Sequence, residues 1–396
     1  MLSIQNKYFL ATLALLVIPI SGLGIDIYVP SLPAVSDYFG VEKALVQLSI
    51  TTYMLGLSLL KLFAGGISDS FGRRKPFLVA MFIFVIASFC VPFSQDIYQL
   101  LFLRLMQGMT VALTVVPMRS VISDLFDGRE LYKMMNYMTM AWSIGPIIAP
   151  AIGGYLQFYF GWQASFYFLG FYSLIIFILV YFCLPETSQY RHAFHVGQII
   201  SRYQTVLFNS KYVVGLILNG MLYSLIIIFS VVGPFLIQTV LHYSAIQFGQ
   251  ISLLMGLAWF LGTMTNRFLI DIALDIKSKI CFWLMLIISV MMLAIVLWMP
   301  MTIYNIVIPI FIILWVGGIV FPNYFARSVS LFPQMTGSAN ALFGTSVFLL
   351  AGISSGLSTF LKSTSELPLA IAYVVLIVFC LVVYYIDIKR RAINTD

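Results

Sequence analysis

Charge is scarce in this chain. Asp, Glu, Lys and Arg make up 9% of its 396 residues, where a soluble domain carries about 25%. That excludes a water-facing globular surface over most of the length. Cysteine is sparse too: Cys90, Cys183, Cys281 and Cys380 fall in apolar runs, at spacings that suit neither a metal site nor a disulfide framework. Only three histidines occur, and His192 and His195 share one polar stretch, where they read as solvated loop residues, not ligands. No G-x-x-x-x-G-K-[ST] loop is present, which removes a nucleotide-driven pump. Nor does a nucleophile–histidine pair or a separate soluble domain point to an enzyme.

What the chain has in abundance is apolar residues, 61% of the total, with mean hydropathy +1.02. A membrane-crossing helix needs about 20 of them in a row. The runs lie near 8–29, 45–68, 76–94, 98–123, 132–157, 163–184, 212–238, 246–270, 279–299, 302–326, 335–361 and 367–387. The fold class is therefore an all-α membrane protein with twelve transmembrane helices. A membrane barrel is excluded, because its strands alternate polar and apolar over about 10 residues. The first run is long for a signal peptide, only Lys7 precedes it, and no small-residue cleavage site follows, so a retained helix is expected.

The net charge of +7 invites a nucleic-acid partner, but its placement argues for a lipid bilayer. Of the 21 Lys and Arg, Lys43 and Lys362 fall on one side and Lys61, Arg104 and Arg119 within apolar runs. The rest gather on the other side, which the positive-inside rule makes cytoplasmic. Both termini are then cytoplasmic. The longest polar stretch, 185–211, separates an N-terminal six-helix bundle (1–184) from a C-terminal one (212–396). Gly262-Thr263-Met264-Thr265-Asn266-Arg267 reads as a worn copy of an earlier turn, Gly65-Gly66-Ile67-Ser68-Asp69-Ser70-Phe71-Gly72-Arg73-Arg74. In that turn Asp69 and the basic cluster are placed to bridge helix ends. Gly145-Pro146-Ile147-Ile148-Ala149-Pro150-Ala151-Ile152-Gly153-Gly154 predicts a bent, thin-surfaced fifth helix able to pack closely on a neighbour.

An ionisable group inside a bilayer costs at least ~2.5 kcal/mol and is a functional candidate by default. Of 14 acids, the sequence places one well inside an apolar run: Asp26, with no second buried acid. From the expected helix ends, Asp26 and Arg104 differ by only ~3 Å in depth at 1.5 Å per residue, so an ion pair is feasible if their helices touch. Enclosed alone, a carboxyl favours its neutral form, and a cation beside it favours the charged one. Proton and cargo can thus compete for Asp26, the minimum that antiport requires; a purely structural pair is the plainer alternative. Lys61 and Arg119 lie nearer the cytoplasmic end, where they can line a cavity, although Lys61 can instead snorkel. Two bases against one acid favour anionic or zwitterionic cargo, and carboxylate-rich metabolites such as siderophores fit that bias. Tyr28, Tyr53, Trp142, Tyr223 and Trp259 are candidate stacking surfaces in the same cavity.

The Gly65–Arg74 turn resembles the G-x-x-x-D-R-x-G-R-R loop of major facilitator superfamily transporters, with Ser70 where that family has Arg. Asp26-Ile27-Tyr28-Val29-Pro30-Ser31-Leu32-Pro33, Arg104-Leu105-Met106-Gln107-Gly108, Arg119 with Asp124-Leu125-Phe126, and Leu184-Pro185-Glu186-Thr187 resemble the Bcr/CflA drug-resistance subfamily of twelve-helix drug:proton antiporters. The resemblance implies two six-helix bundles related by an axis along the membrane normal and a monomer in the bacterial inner membrane. It implies no cofactor, the proton gradient being the energy source, and export of small organic compounds by alternating access. Asp26 would couple protons and Arg104 relay them. Gly65, Asp69, Gly72, Arg73, Arg74, Gly145, Pro146, Pro150, Gly153 and Gly154 would gate the motion. Lys61 departs from the pattern, where a neutral residue is expected. It keeps open an alternative, a proton symporter importing an anionic nutrient or siderophore, against which weighs the resemblance of the Gly145–Gly154 run to the Gly/Pro-rich fifth-helix signature of facilitator antiporters.

Overall fold

The computed structural model describes residues 7–188, 194–361 and 364–393. Arg191 and His192 of the polar stretch, and Lys362, lie outside the described residues. Among those described there is no strand.

The first apolar segment is longer than its hydropathy suggests. It runs from Lys7 to Phe39 as α1 (Lys7–Val17), α2 (Ile20–Asp26), a 3-10 turn (Val29–Ser31) and α3 (Leu32–Phe39). Pro30 and Pro33 each sit in the first turn of a new helical piece, where a missing N–H is tolerated. They break the helix into pieces without ending the segment at residue 29, as the sequence suggested. Gly40, at φ +62°, ends it in a left-handed turn.

The remaining helices of the first half are α4 (Lys43–Phe71), α5 (Arg74–Cys90), α6 (Ile97–Leu125), α7 (Gly128–Phe160) and α8 (Gln163–Cys183). Those that follow are α9 (Val196–Leu207), α10 (Ser210–Pro234), α11 (Ala245–Phe268), α12 (Leu274–Trp298), α13 (Ile303–Ser330), α14 (Thr336–Ser358) and α15 (Leu367–Ile393). Eleven described segments are long and apolar enough to cross a membrane. The expected fifth span, 132–157, is present within α7, but its glycines, hydroxyls and first-turn charges keep it below that apolarity. The polar stretch 185–211 is not all linker, since α9 occupies its middle.

The chain divides into two compact units, Met1–Ile200 and Ser201–Asp396. In the first, α4 packs on α6, α5 on α6 and α8, and α2 on α7. In the second, α11 packs on α13, α12 on α13 and α15, and α10 on α14. The same order of partners in each unit is an internal repeat that the sequence carries only faintly.

Glycines fix the closest crossings. A Cβ on Gly108 of α6 would stand 2.8 Å from the Tyr53 carbonyl carbon of α4, and one on Gly56 would stand 3.0 Å from the Met109 amide. In the second unit a Cβ on Gly262 of α11 would stand 2.9 Å from Gly318 Cα of α13. Gly318 in turn meets the Trp259 backbone at 3.2 Å. Gly262–Arg267 makes the last turns of α11, as Gly65–Phe71 makes those of α4, and Gly262 does for α11 and α13 what Gly56 does for α4 and α6. The Gly65–Arg74 turn is shorter than expected, because α4 continues through Phe71.

Candidate transport site

Asp26 closes α2 and is 5% exposed. Pro30 lacks the amide that would bond the Asp26 carbonyl, so the helix loosens just beyond the acid. Elements around it hold the break in place. Ser165 of α8 donates to the Ile27 carbonyl at 3.2 Å, and Gly153 of α7 packs on the same peptide, where a Cβ would stand 2.8 Å from the Ile27 carbonyl carbon. A Cβ on Gly22 would lie 2.7 Å from the Pro146 ring, and one on Gly145 would lie 3.1 Å from the Pro19 carbonyl oxygen. Pro150 and Gly154 are buried on the same helix. The Gly/Pro run thus seats α7 against the acid-bearing α2.

Arg104 lies on α6, whose start is capped by Asp96 accepting from the Gln99 amide at 2.8 Å. It is wholly buried. Its guanidinium carbon sits 4.4 Å from the centre of the Tyr53 ring, 5.3 Å from Tyr28 and 5.7 Å from Phe166, an aromatic cage that stabilises a desolvated cation. Nη1 donates to Gln107 Oε1 at 2.9 Å, and Gln107 Nε2 donates to Ser88 at 2.9 Å. Nε and Nη2 have no partner.

The expected Asp26–Arg104 ion pair is not formed. Asp26 makes no hydrogen bond or ion pair among the described residues, although α2 and α6 are in contact. The segment continues to Phe39, ten residues past its expected end at 29, so Asp26 lies farther from that end than its depth match with Arg104 requires. Tyr53 is the neighbour common to both groups. Its ring carries Arg104, its hydroxyl lies 3.5 Å from the Ser21 carbonyl of α2, and a Cβ on Gly24 would stand 2.8 Å from its Cζ. Tyr28 and Tyr53 are wholly buried, so in this structure their faces serve Arg104 and are not open to cargo. Sequence reasoning missed Gln107 and the cage. The i, i+3 spacing of Arg104 and Gln107 was the available signal.

Lys61 on α4 and Arg119 on α6 are both half-buried. Trp142 is half-buried on α7. Tyr223 and Trp259 belong to the second unit, where Tyr223 packs edge-on to Phe348 at 5.6 Å and Trp259 on Phe321 at 5.2 Å.

At the far end of α4, three motifs converge on one cluster. Arg73 pairs with Asp69 and with Asp124, the latter at 3.2 Å, and donates to Ser68. Burial works against the Arg73 charge, but these two carboxylates outweigh it and hold the guanidinium more firmly protonated than usual. Glu186 accepts from the backbone amides of Arg73 and Arg74, at 2.8 and 3.2 Å, satisfying the start of α5. Arg74 donates to the Tyr181 carbonyl at 2.6 Å and lies 5.8 Å from its ring. Thr187 donates to Asp124 at 2.9 Å. Gly72 has φ +90°, and a Cβ there would stand 2.7 Å from the Glu186 carboxyl carbon. Gly65 is different, with open space where a Cβ would be.

The second unit holds a matching cluster that the sequence did not reveal. Arg391 grips Asp275 through two bonds of 2.8 Å and pairs with Asp387 at 3.0 Å. Lys277 donates to Asn266 and Asn323 at 2.9 and 3.3 Å. Asp26 is also not the lone buried acid. Asp387 is 5% exposed and paired, and Glu366 is 3% exposed with Oε2 unpartnered. Both sit at segment ends, where linear position suggested solvent.

The family model of the Major Facilitator Superfamily matches residues 14–356. A bicyclomycin resistance protein homolog of Haemophilus influenzae is 25% identical over 97% of this chain and 96% of its own. Multidrug resistance protein D of Escherichia coli is 25% identical over 91% of each. Among solved structures, a bacterial homolog of the human lysosomal transporter Spinster has a TM-score of 0.75 at 12% identity, covering 96% of both chains. A D-xylose-proton symporter has a TM-score of 0.71 at 15% identity, covering 93% of this chain and 96% of its own. These structural likenesses speak to the fold, and the fold is the one the charged turn and paired bundles anticipate. The chain is a multi-pass membrane transporter of small molecules and belongs to the Major Facilitator Superfamily.

Proposed function

We propose that this transporter exports small organic compounds in exchange for protons, with Asp26 as the coupling acid. One observation carries the reading. Asp26 is a buried carboxyl without hydrogen-bond or ion-pair partner among the described residues, and it shares the neighbour Tyr53 with an arginine that has two unpartnered nitrogens. Enclosed alone, such a carboxyl holds a proton; faced by Arg104 or by a cationic group of the cargo, it gives the proton up. Two arrangements of α2 against α6, one with each state favoured, convert that competition into exchange. Each charge moved down the membrane potential supplies ~2.3 kcal/mol per 100 mV. No cofactor takes part.

Exchange is favoured over uptake by the packing of α7 on α2, which uses the Gly/Pro run that resembles the antiporter signature. The names of the bicyclomycin and multidrug resistance relatives support export. The basic residues that the sequence gathers on one side support a bacterial inner membrane with both termini cytoplasmic, and the resemblance to drug:proton antiporters supports a monomer. A second reading, a symporter importing an anionic nutrient, draws on Lys61, a base within a membrane-spanning helix.

Reconstituted vesicles test both. With a pH-sensitive dye inside, added cargo should drive protons in the opposite direction to itself, and Asp26→Asn should abolish that movement while the protein stays folded. Proton movement in the same direction as cargo supports the symporter. Unchanged coupling in Asp26→Asn removes Asp26 from the mechanism.

A further inference from the structure

Helix α9 is tied to the end of the first unit that carries the Arg73 cluster. Glu186, shortly before it in the chain, accepts from the Arg73 and Arg74 amides. Farther on, the chain closes on α4 itself. A Cβ on Gly66 would stand 2.7 Å from Ile199 Cδ1 and 3.1 Å from Phe194 Cε2. Gly66 lies about 8 Å before the end of α4 at Phe71, at 1.5 Å per residue. The start of α9 therefore stands level with the last turns of a membrane-spanning helix, not beyond them. A helix at that depth meets lipid wherever the protein leaves it open.

The apolar face of α9 is only half covered. Ile199, Tyr203 and Val206, at i, i+4 and i+7, form the covered edge, and Val206 is wholly buried. Val196, Ile200 and Leu207 widen the same face by about one more side chain, yet they are 43, 45 and 45% exposed. Gln198, Ser201, Arg202 and Thr205 occupy the opposite side. Charge then selects among the partners that could cover the open edge. No acid occurs between Glu186 and Asp271. Arg202 and Lys211 are exposed, and neither makes an ion pair among the described residues. An apolar edge, a polar back and neighbouring bases suit a helix that lies in the plane of a membrane surface, where bases draw anionic headgroups. An acidic protein would answer the charge but not the depth.

We propose that α9 is an interfacial helix that inserts its Val196–Ile200–Leu207 edge into the bilayer surface and gathers anionic lipid at Arg202 and Lys211. The linker between the two bundles is then anchored to lipid, whichever way cargo and protons move.

Photocrosslinking of the full-length protein tests this in nanodiscs of equal phosphatidylglycerol and phosphatidylcholine. The photoreactive p-benzoylphenylalanine replaces Ile200, Leu207 or, as the polar-side control, Gln198, and adducts are identified by mass spectrometry. Two positions on the open edge are probed so that one misfolded variant, detected by circular dichroism, does not decide the outcome. Positions 200 and 207 should capture lipid and position 198 should not. Phosphatidylglycerol adducts should exceed phosphatidylcholine adducts about fivefold, and Arg202→Gln/Lys211→Gln should bring the two to parity. The inference is overturned if folded variants at 200 and 207 capture no lipid, or capture no more than position 198. A crosslinked dimer in place of lipid adducts would assign the edge to a second copy and also overturn it. Equal capture of both lipids by the protein with Arg202 and Lys211 intact would refute the anionic selection.

Discussion

Alanine at Gly108 and alanine at Gly65 should have opposite effects. A Cβ on Gly108 would stand 2.8 Å from the Tyr53 carbonyl carbon, 3.0 Å from the Leu57 amide, and closer still to the Tyr53 oxygen. Ordinary contact begins at 3.4 Å, and the neighbours are backbone, which cannot rotate aside. The helices α4 and α6 must separate, which in a packed interior costs about 1–3 kcal/mol. The damage should not stay local. Tyr53 supports the Arg104 guanidinium at 4.4 Å, so the cage opens as the helices part. Gly65 also lies inside α4, but nothing stands within 4 Å of the added carbon. There alanine should stabilise by about 0.5–1 kcal/mol, because glycine loses more chain entropy on entering a helix. Unfolding of the two variants in detergent, followed by circular dichroism against wild type, checks the pair. If Gly108→Ala unfolds with wild type, or Gly65→Ala loses as much stability as Gly108→Ala, the helix crossing described here is wrong.

Gln107→Leu should destabilise by about 2–4 kcal/mol, because the buried Arg104 loses its hydrogen-bonded neighbour and keeps its charge; unfolding in detergent measures it, and a loss below 0.5 kcal/mol (about the noise of surface substitutions) would show that the cage alone suffices. Glu366→Gln should stabilise at neutral pH and do nothing in acid. Burial raises the Glu366 pKa in the folded protein, so the native state binds more protons and wild type loses stability as pH rises above the unfolded value. Melting curves of both proteins between pH 4 and 8 should therefore diverge upward, and parallel curves count against a buried carboxyl. Gly66→Val should loosen α9, since a Cβ on Gly66 already meets Ile199 Cδ1 at 2.7 Å and Phe194 at 3.1 Å. Tryptic cleavage after Arg202 should then quicken, and an unaltered rate would show that the linker helix does not dock there.

Much of the chain could be read without coordinates, and the exceptions share a cause. The apolar runs located the helices because hydropathy is a local sum, although the first run hid ten further helical residues behind Pro30 and Pro33. The turn at Gly72–Arg74 was legible as charge, but its partner Glu186 was not, being more than a hundred residues away. Gly262 was legible as part of a repeat, but its close approach to Gly318 depends on which face of α11 meets α13. Glu366 looked solvent-exposed at a segment end and is enclosed there by neighbours that its linear position does not name.

Composition and order alone therefore determined that the protein crosses a membrane many times and that Asp26 lies within an apolar run. Those properties follow from the free energy of placing each residue in lipid or water, which needs no partner to evaluate. Only the tertiary structure decided that Arg104 rests in a cage of Tyr28, Tyr53 and Phe166 instead of pairing with Asp26. That outcome depends on the rotation and crossing of helices distant in sequence, and these are set by where glycine lets two backbones touch.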